Sequence, residues 1–293
     1  MTVIALKYAK VPSSFVHPAG LFVSLPKGER AKQKLDVTYA AGGLEYRFWG
    51  PEPLDSLDLR VLQGLVALGT NSLRETRRML RDGRALEPEI TVSGDALLDR
   101  VFFASTTRTI AVRLRISSFV ESLGYAKGGS MGRLVRESIT RLSAVSVVIQ
   151  GPDFETSYRL ISGYTRDKNS QEMIVGLNPT LTVAVFARSN YLGVSLDEAR
   201  QLKDVALILH WRLHFINQGQ EKRVGMRTLC DYVYPLSKEP VAASTMRRRH
   251  HTIRQALGEL RGVGWSVLEE KSGMFTIFRP SLRGRTGTLL ALT

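Results

Sequence analysis

The chain has 293 residues, 43% of them apolar, and a formal charge of +14 from 41 basic and 27 acidic side chains. That length suits one large or two medium domains with a real core, and the charge favours a polyanionic partner, because each neutralised phosphate releases counterions. The single cysteine, Cys230, excludes an internal disulfide and a cysteine-built metal site, and the longest uncharged run, 173–187, is shorter than the ~20 residues of a membrane span.

Residues 1–34 mix Pro, Gly and Lys without a sustained period and read as an arm, basic at its end through Lys27, Arg30, Lys32 and Lys34. Residues 1–14 contain no apolar block long enough for a signal peptide, so the expected location is cytoplasmic, alongside the nucleoid. From residue 35 two alternating strands, 35–39 and 44–49, flank Ala40-Ala41-Gly42-Gly43, a hairpin signal. Leu54, Leu57, Leu59, Val61, Leu62, Leu65, Val66 and Leu68 then form a helix with a wide apolar stripe, hence core. Residues 70–106 are basic in part and show no clear boundaries.

A strand over 107–116 leads to two short helices, 119–123 and 130–142, split by a glycine-bearing turn, which is a helix-turn-helix order. Strands follow over 145–150 and 157–162, with a third stretch at 172–177. Near residue 190 a second unit begins. Ser195 caps a helix over 196–202, a heavily buried helix spans 205–216, and 226–232 opens another helix-turn-helix.

The next helix, 244–261, is the centre of the reading. Ser244-Thr245 are cap candidates, and Met246, His250, Ile253, Leu257 and Leu260 make one apolar face. Five arginines against one glutamate leave this stretch at +4, and Gly262 and Gly264 stop it. A hairpin follows, 265–268 and 274–278, around a charged turn. Helix plus hairpin is the back half of a winged helix. The same apolar spacing occurs earlier: Val135, Ser138, Ile139, Leu142, Val145, Val147 and Ile149 match Ile253, Ala256, Leu257, Leu260, Val263, Trp265 and Val267 at a constant shift of 118 residues. The expected fold is therefore α+β, two winged-helix domains in pseudo-symmetric tandem: arm 1–34, first domain 35–190, second domain 191–280, basic tail 281–293.

Arginine pairs bidentately with guanine and glutamine with adenine in the major groove, while half or more of such bonds go to phosphates. The candidate DNA contacts are Ser244, Thr245, Arg247, Arg248, Arg249, His251, Thr252, Arg254 and Gln255. Lys222, Arg223 and Lys271 join them from beside the second unit, and Ser130, Arg133, Arg136 and Thr140 from the first-copy helix. Glu137 offsets the arginines of that helix, so it reads as the weaker DNA reader, and its domain as one that could pair subunits into a homodimer.

Other chemistries find no support. The His251-Thr252-Ile253-Arg254 spacing resembles tyrosine recombinases, but no tyrosine follows Tyr234 to act as nucleophile. His210 and His214 sit one helical turn apart without a third ligand, and no phosphate-binding Gly-rich loop ending in Lys-Ser/Thr is present. No catalytic residues, metal or cofactor are expected. A winged-helix transcriptional repressor on a palindromic operator is the alternative.

Several stretches resemble the RepC replication initiators of IncQ-type broad-host-range plasmids: Gly20-Leu21-Phe22, Lys27-Gly28-Glu29-Arg30, residues 34–39, Gly50-Pro51-Glu52-Pro53-Leu54, residues 58–66, Leu177-Asn178-Pro179, Thr228-Leu229-Cys230, Ser244-Thr245-Met246-Arg247 and Gly264-Trp265. The resemblance implies two winged helices binding directly repeated origin sequences (iterons) on plasmid DNA. It also implies melting of adjacent AT-rich DNA and recruitment of a plasmid-encoded helicase and primase.

Overall fold

A computed structural model describes residues 6–26, 28–81, 92–93, 109–126, 128–167, 171–186, 191–234, 241–271 and 273–281. The expected basic tail, and most of the stretch without clear boundaries, lie outside these residues.

The start of the chain is no arm. Strand β1 (Tyr8–Val11) and the short helix α1 (Ser13–Val16) bury Leu6, Ala9, Val11, Phe15 and Val16, and the chain beyond buries Leu21, Phe22 and Val23. A segment packed between neighbours on several sides, and broken by Pro12, Pro18 and Gly20, carries no single hydrophobic period, so the pattern is silent about burial. Past a single 3₁₀ turn at Arg30–Lys32, strands β2 (Leu35–Ala41) and β3 (Leu44–Gly50) form the expected hairpin. Gly42 and Gly43 both hold positive φ, 61° and 77°, as a two-residue turn of that twist requires.

Helix α2 (Ser56–Arg81) continues into the stretch that gave no boundary. Asp58 through Thr70 are buried on every face, so this helix is the axis on which both halves of the chain pack. Asp55 Oδ1 accepts the Leu57 and Asp58 amides at 2.9 and 3.1 Å and caps its start. Arg60, deep in this helix, donates to the Leu123 and Leu202 carbonyls and so bridges the halves.

A two-residue strand β4 (Val92–Ser93) edges β5 (Thr109–Arg115), which leads into α3 (Ile116–Ser122) and α4 (Gly129–Ala144). Four strands follow: β6 (Ser146–Gln150), β7 (Glu155–Arg159), β8 (Ile161–Arg166) and β9 (Glu172–Leu177). They divide between two antiparallel sheets, ordered β2-β3-β6-β7 and β4-β5-β9-β8. Helix α5 (Pro179–Phe186) and strand β10 (Leu192–Ser195) come next, and β10 pairs with β1, Tyr8 opposite Ser195.

The remaining elements are α6 (Leu196–Gln201), α7 (Asp204–Leu213), β11 (Glu221–Gly225), α8 (Met226–Val233), α9 (Ala243–Gly262), β12 (Ser266–Glu269) and β13 (Met274–Phe278). Ser195 Oγ accepts the Glu198 amide, the expected cap. Helix α9 packs on α7 and α8, beside a sheet ordered β11-β13-β12. Gly264 ends α9 at φ 94°, where Gly264 N–H reaches the Arg261 carbonyl and Trp265 N–H the Leu260 carbonyl.

Both halves therefore run helix, strand, helix, helix, hairpin: α2-β5-α3-α4 with β8-β9, and α7-β11-α8-α9 with β12-β13. Sheet orders β5-β9-β8 and β11-β13-β12 correspond. All fourteen residues that share the 118-residue spacing are buried. One expectation is corrected. Strand β6, matched by spacing to β12, does not hold the equivalent place, because β6-β7 is an inserted hairpin that joins β2-β3. Alternation fixes which face of a strand is buried, not which sheet receives it.

No helix among the described residues is long and apolar enough to cross a membrane.

Candidate nucleic-acid interface

Helix α9 buries Ile253, Ala256, Leu257 and Leu260, which turns Ser244, Arg247, Arg248, His251 and Gln255 to solvent. Arg247 and Arg248 form no ion pair among the described residues. The capping expectation is corrected: the cap position belongs to Ala242, without a side-chain bond, and Ser244 and Thr245 lie within the first turn. Thr252 Oγ1 donates back to the Arg248 carbonyl at 3.0 Å. Arg249 is half-buried, its guanidinium carbon 4.5 Å from the centre of the Tyr234 ring.

Two of the expected DNA contacts of the second unit are already ion-paired. Arg254 Nη2 stands 2.8 Å from Glu269, and Arg223 of β11 holds Glu270 with a hydrogen bond of 3.0 Å from Nε. The Arg254 hydrogen bond holds the Glu269 carboxyl below the usual carboxylate range, and Arg223 does the same for Glu270. Both pairs are exposed, and they tie the hairpin to α9 and to β11. Lys222 and Lys271 remain exposed on the same hairpin side.

On the first unit, α4 exposes Ser130, Arg133 and Thr140, with Arg136 half-buried. Arg133 is partly satisfied by Glu137 at 3.3 Å, and Thr140 shares a hydrogen bond of 2.9 Å with the Tyr164 hydroxyl on β8. Arg133, Arg136, Thr140, Tyr164 and Arg166 line an open cleft of about 530 Å³. Arg141, the remaining arginine of α4, points inward. Its Nη2 stands 2.8 Å from the fully buried Asp58, which also receives Arg30 Nη1 at 3.0 Å. Arg30 in addition pairs with Asp55 and donates to the Pro53 carbonyl at 3.3 Å.

The two spaced histidines are core. His210 Nε2 lies 3.0 Å from Glu198, whose Oε2 accepts the Trp265 indole N–H at 3.1 Å. His214 Nδ1–H donates to the His210 carbonyl at 2.6 Å, and burial, then the positive charge of its neighbours, holds this ring well below the ordinary histidine value. Arg279 closes the cluster against the His214, Ile216 and Gly193 carbonyls, burial lowering its pKa to about 10.

The fold adds to the α9 face two residues that the spacing along the chain does not place there. Lys32 and Lys34 line a cleft of about 1130 Å³ together with Thr245, Arg248, Arg249 and Thr252. The basic run at 27–34 was the available signal, but nothing in its spacing says which helix it borders.

Comparison with known proteins fits this architecture. A selenomethionine crystal structure of domains 2 and 3 of RctB superposes with a TM-score of 0.54 at 11% identity, covering 91% of this chain and 97% of that one. A second structure of RctB domains 2–3 gives 0.47 at 12% identity, covering 87% and 93%. At 11% identity the likeness to the first of these structures is one of fold. No curated protein matches the chain. The sequence model of Replication protein C (RepC) matches residues 4–281, nearly the whole chain, and the protein belongs to the RepC family.

Proposed function

We propose that the chain is an origin-binding replication initiator whose two helix–strand–helix–helix–hairpin units act as winged helices in tandem. The observation that carries the reading is the α9 face: Ser244, Arg247, Arg248, His251 and Gln255 exposed together, on a helix braced by its own hairpin, in a RepC-family chain. Arginine and glutamine on a helix of 10–12 Å diameter match the ~12 Å width and the base edges of a B-DNA major groove. Helix α4 serves as the second reader, less basic than α9.

On this reading the protein binds directly repeated plasmid-origin sequences, with two readers one turn apart spanning about 20 bp. Bending of several such sites favours opening of neighbouring AT-rich DNA, whose steps unstack most easily, and the open segment receives the plasmid helicase and primase. The protein itself catalyses no bond cleavage, so a metal-dependent nicking assay on supercoiled origin DNA stays negative.

Footprinting on a cognate origin tests the proposal. Protection of direct repeats that is lost in Arg247→Ala/Arg248→Ala, with the fold retained, is the expected result. Equal affinity for origin and random duplex overturns it, and protection of a single palindrome points to the repressor alternative.

A further inference from the structure

The exposed face of α9 has two flanks. On one, Arg254 holds the β12–β13 hairpin through Glu269. Thr252, two residues away and so roughly 200° around the helix, faces the other flank. There residues 24–26 and 29–34 form a wall, and the cleft between wall and helix is lined by Lys32 and Lys34 on one side and Thr245, Arg248 and Arg249 on the other. Lys32 and Lys34 are exposed; Lys32 pairs with Glu29, the one acid lining the cleft, at 2.8 Å, while Lys34 forms no ion pair among the described residues.

The wall is held in place from both ends. Ser24 N–H donates to the Val233 carbonyl of α8 at 2.7 Å, and Arg30 is locked into the Asp55–Asp58 pair at the start of α2, where Asp58 also holds Arg141 of α4. Its lysines are therefore presented at a fixed position beside α9, with the cost of ordering the segment met by folding rather than by binding.

We propose that this wall is a phosphate clamp: when α9 lies in a major groove, Lys32 and Lys34 contact the sugar-phosphate strand bordering the groove on the flank opposite the hairpin. A major groove is bounded by one phosphate strand on each side, and a reading helix with a hairpin on one flank leaves the other strand uncontacted unless a second basic element stands there. The proposal rests on the α9 reading and adds a contact that carries no base preference.

The test uses the full chain with Lys32→Ala/Lys34→Ala, titrated against origin duplex and unrelated duplex over a salt series. The log affinity–log salt slope shrinks by about 1 to 2, one for Lys34 and a fraction more for Lys32, whose charge Glu29 partly offsets, and equally on both duplexes. Lys32→Arg/Lys34→Arg restores it. A control matched in charge and pairing leaves the slope as in the parent: Lys7→Ala/Arg47→Ala, two exposed cations that do not line the cleft, Arg47 being paired to Asp36 at 2.8 Å as Lys32 is to Glu29. An unchanged slope in the wall variant, or an equal loss in the control, overturns the clamp. Arg247→Ala/Arg248→Ala separates the two ideas: if it abolishes preference for the origin while the wall variant binds as the parent does, the clamp alone fails. If neither variant alters binding, the α9 reading fails as well.

Discussion

Arg254 of α9 donates through Nε to Glu269 of β12 at 2.9 Å, so α9 and its hairpin share an ion pair in the middle of the candidate interface. A carboxylate at this place opposes DNA and occupies a cation. Glu269→Gln is therefore expected to tighten binding to any duplex and to steepen the salt dependence by about 1, the signature of one more phosphate neutralised. Weaker binding in that variant would show that Glu269 orients Arg254 rather than restraining it.

Asp58, fully buried, receives Arg30 and Arg141 from segments far apart in the chain. Removing one member of a buried ion cluster leaves the others uncompensated. Asp58→Ala should lower stability by about 3–5 kcal/mol in urea unfolding. A loss below about 1 kcal/mol, the range of exposed pairs, would mean that solvent reaches the cluster.

At Gly64, on the all-buried stretch of α2, an added Cβ would press into Leu123 and stand 2.9 Å from the Phe119 ring. Alanine ordinarily favours a helix interior over glycine by about 1 kcal/mol. Overpacking of a closed core typically costs 1–3 kcal/mol, so Gly64→Ala is expected to destabilise by on the order of 1 kcal/mol net. A rise in the thermal midpoint would contradict this close approach of α2 and α3.

His214 gives the folded chain a pH dependence of known sign. Burial depresses its pKa far below 6.5, so below about pH 6.5 the unfolded chain binds a proton that the folded chain refuses. Its contribution is fully present above that value and is lost as pH falls, by up to about 1.4 kcal/mol per pH unit. Half-buried His17 acts in the same direction. The urea midpoint should drop between about pH 7.5 and 5.5, and by less in His214→Gln. A midpoint that does not move with pH would place His214 in contact with water.

The parts of this architecture that a one-dimensional pattern can carry were legible in the sequence. The helical stripes of α4 and α9, the Gly42–Gly43 hairpin, the Ser195 cap and the α9 stop at Gly264 each depend on residues within a few positions of one another. What escaped depends on distant partners. β1 is a strand because β10 lies beside it, β6 joins β2-β3 rather than the sheet its spacing matched, and Arg254 and Arg141 look like free cations until Glu269 and Asp58 are brought to them. The same limit hid the wall: Lys32 and Lys34 are evident as charges, while their place beside Arg248 is set by Arg30 reaching α2.

The pairing of Tyr8 with Ser195 also sets an order of events during synthesis. The first strand leaves the ribosome with no mate, and waits until α2, both four-stranded sheets and α5 have been made before β10 emerges to receive it. Closing so distant a contact is slow relative to local helix formation. The second unit, which emerges after the first, thus matures together with the amino-terminal segment that it packs against, and a nascent chain halted before residue 192 would hold the elements of the first unit with strand β1 still unclaimed.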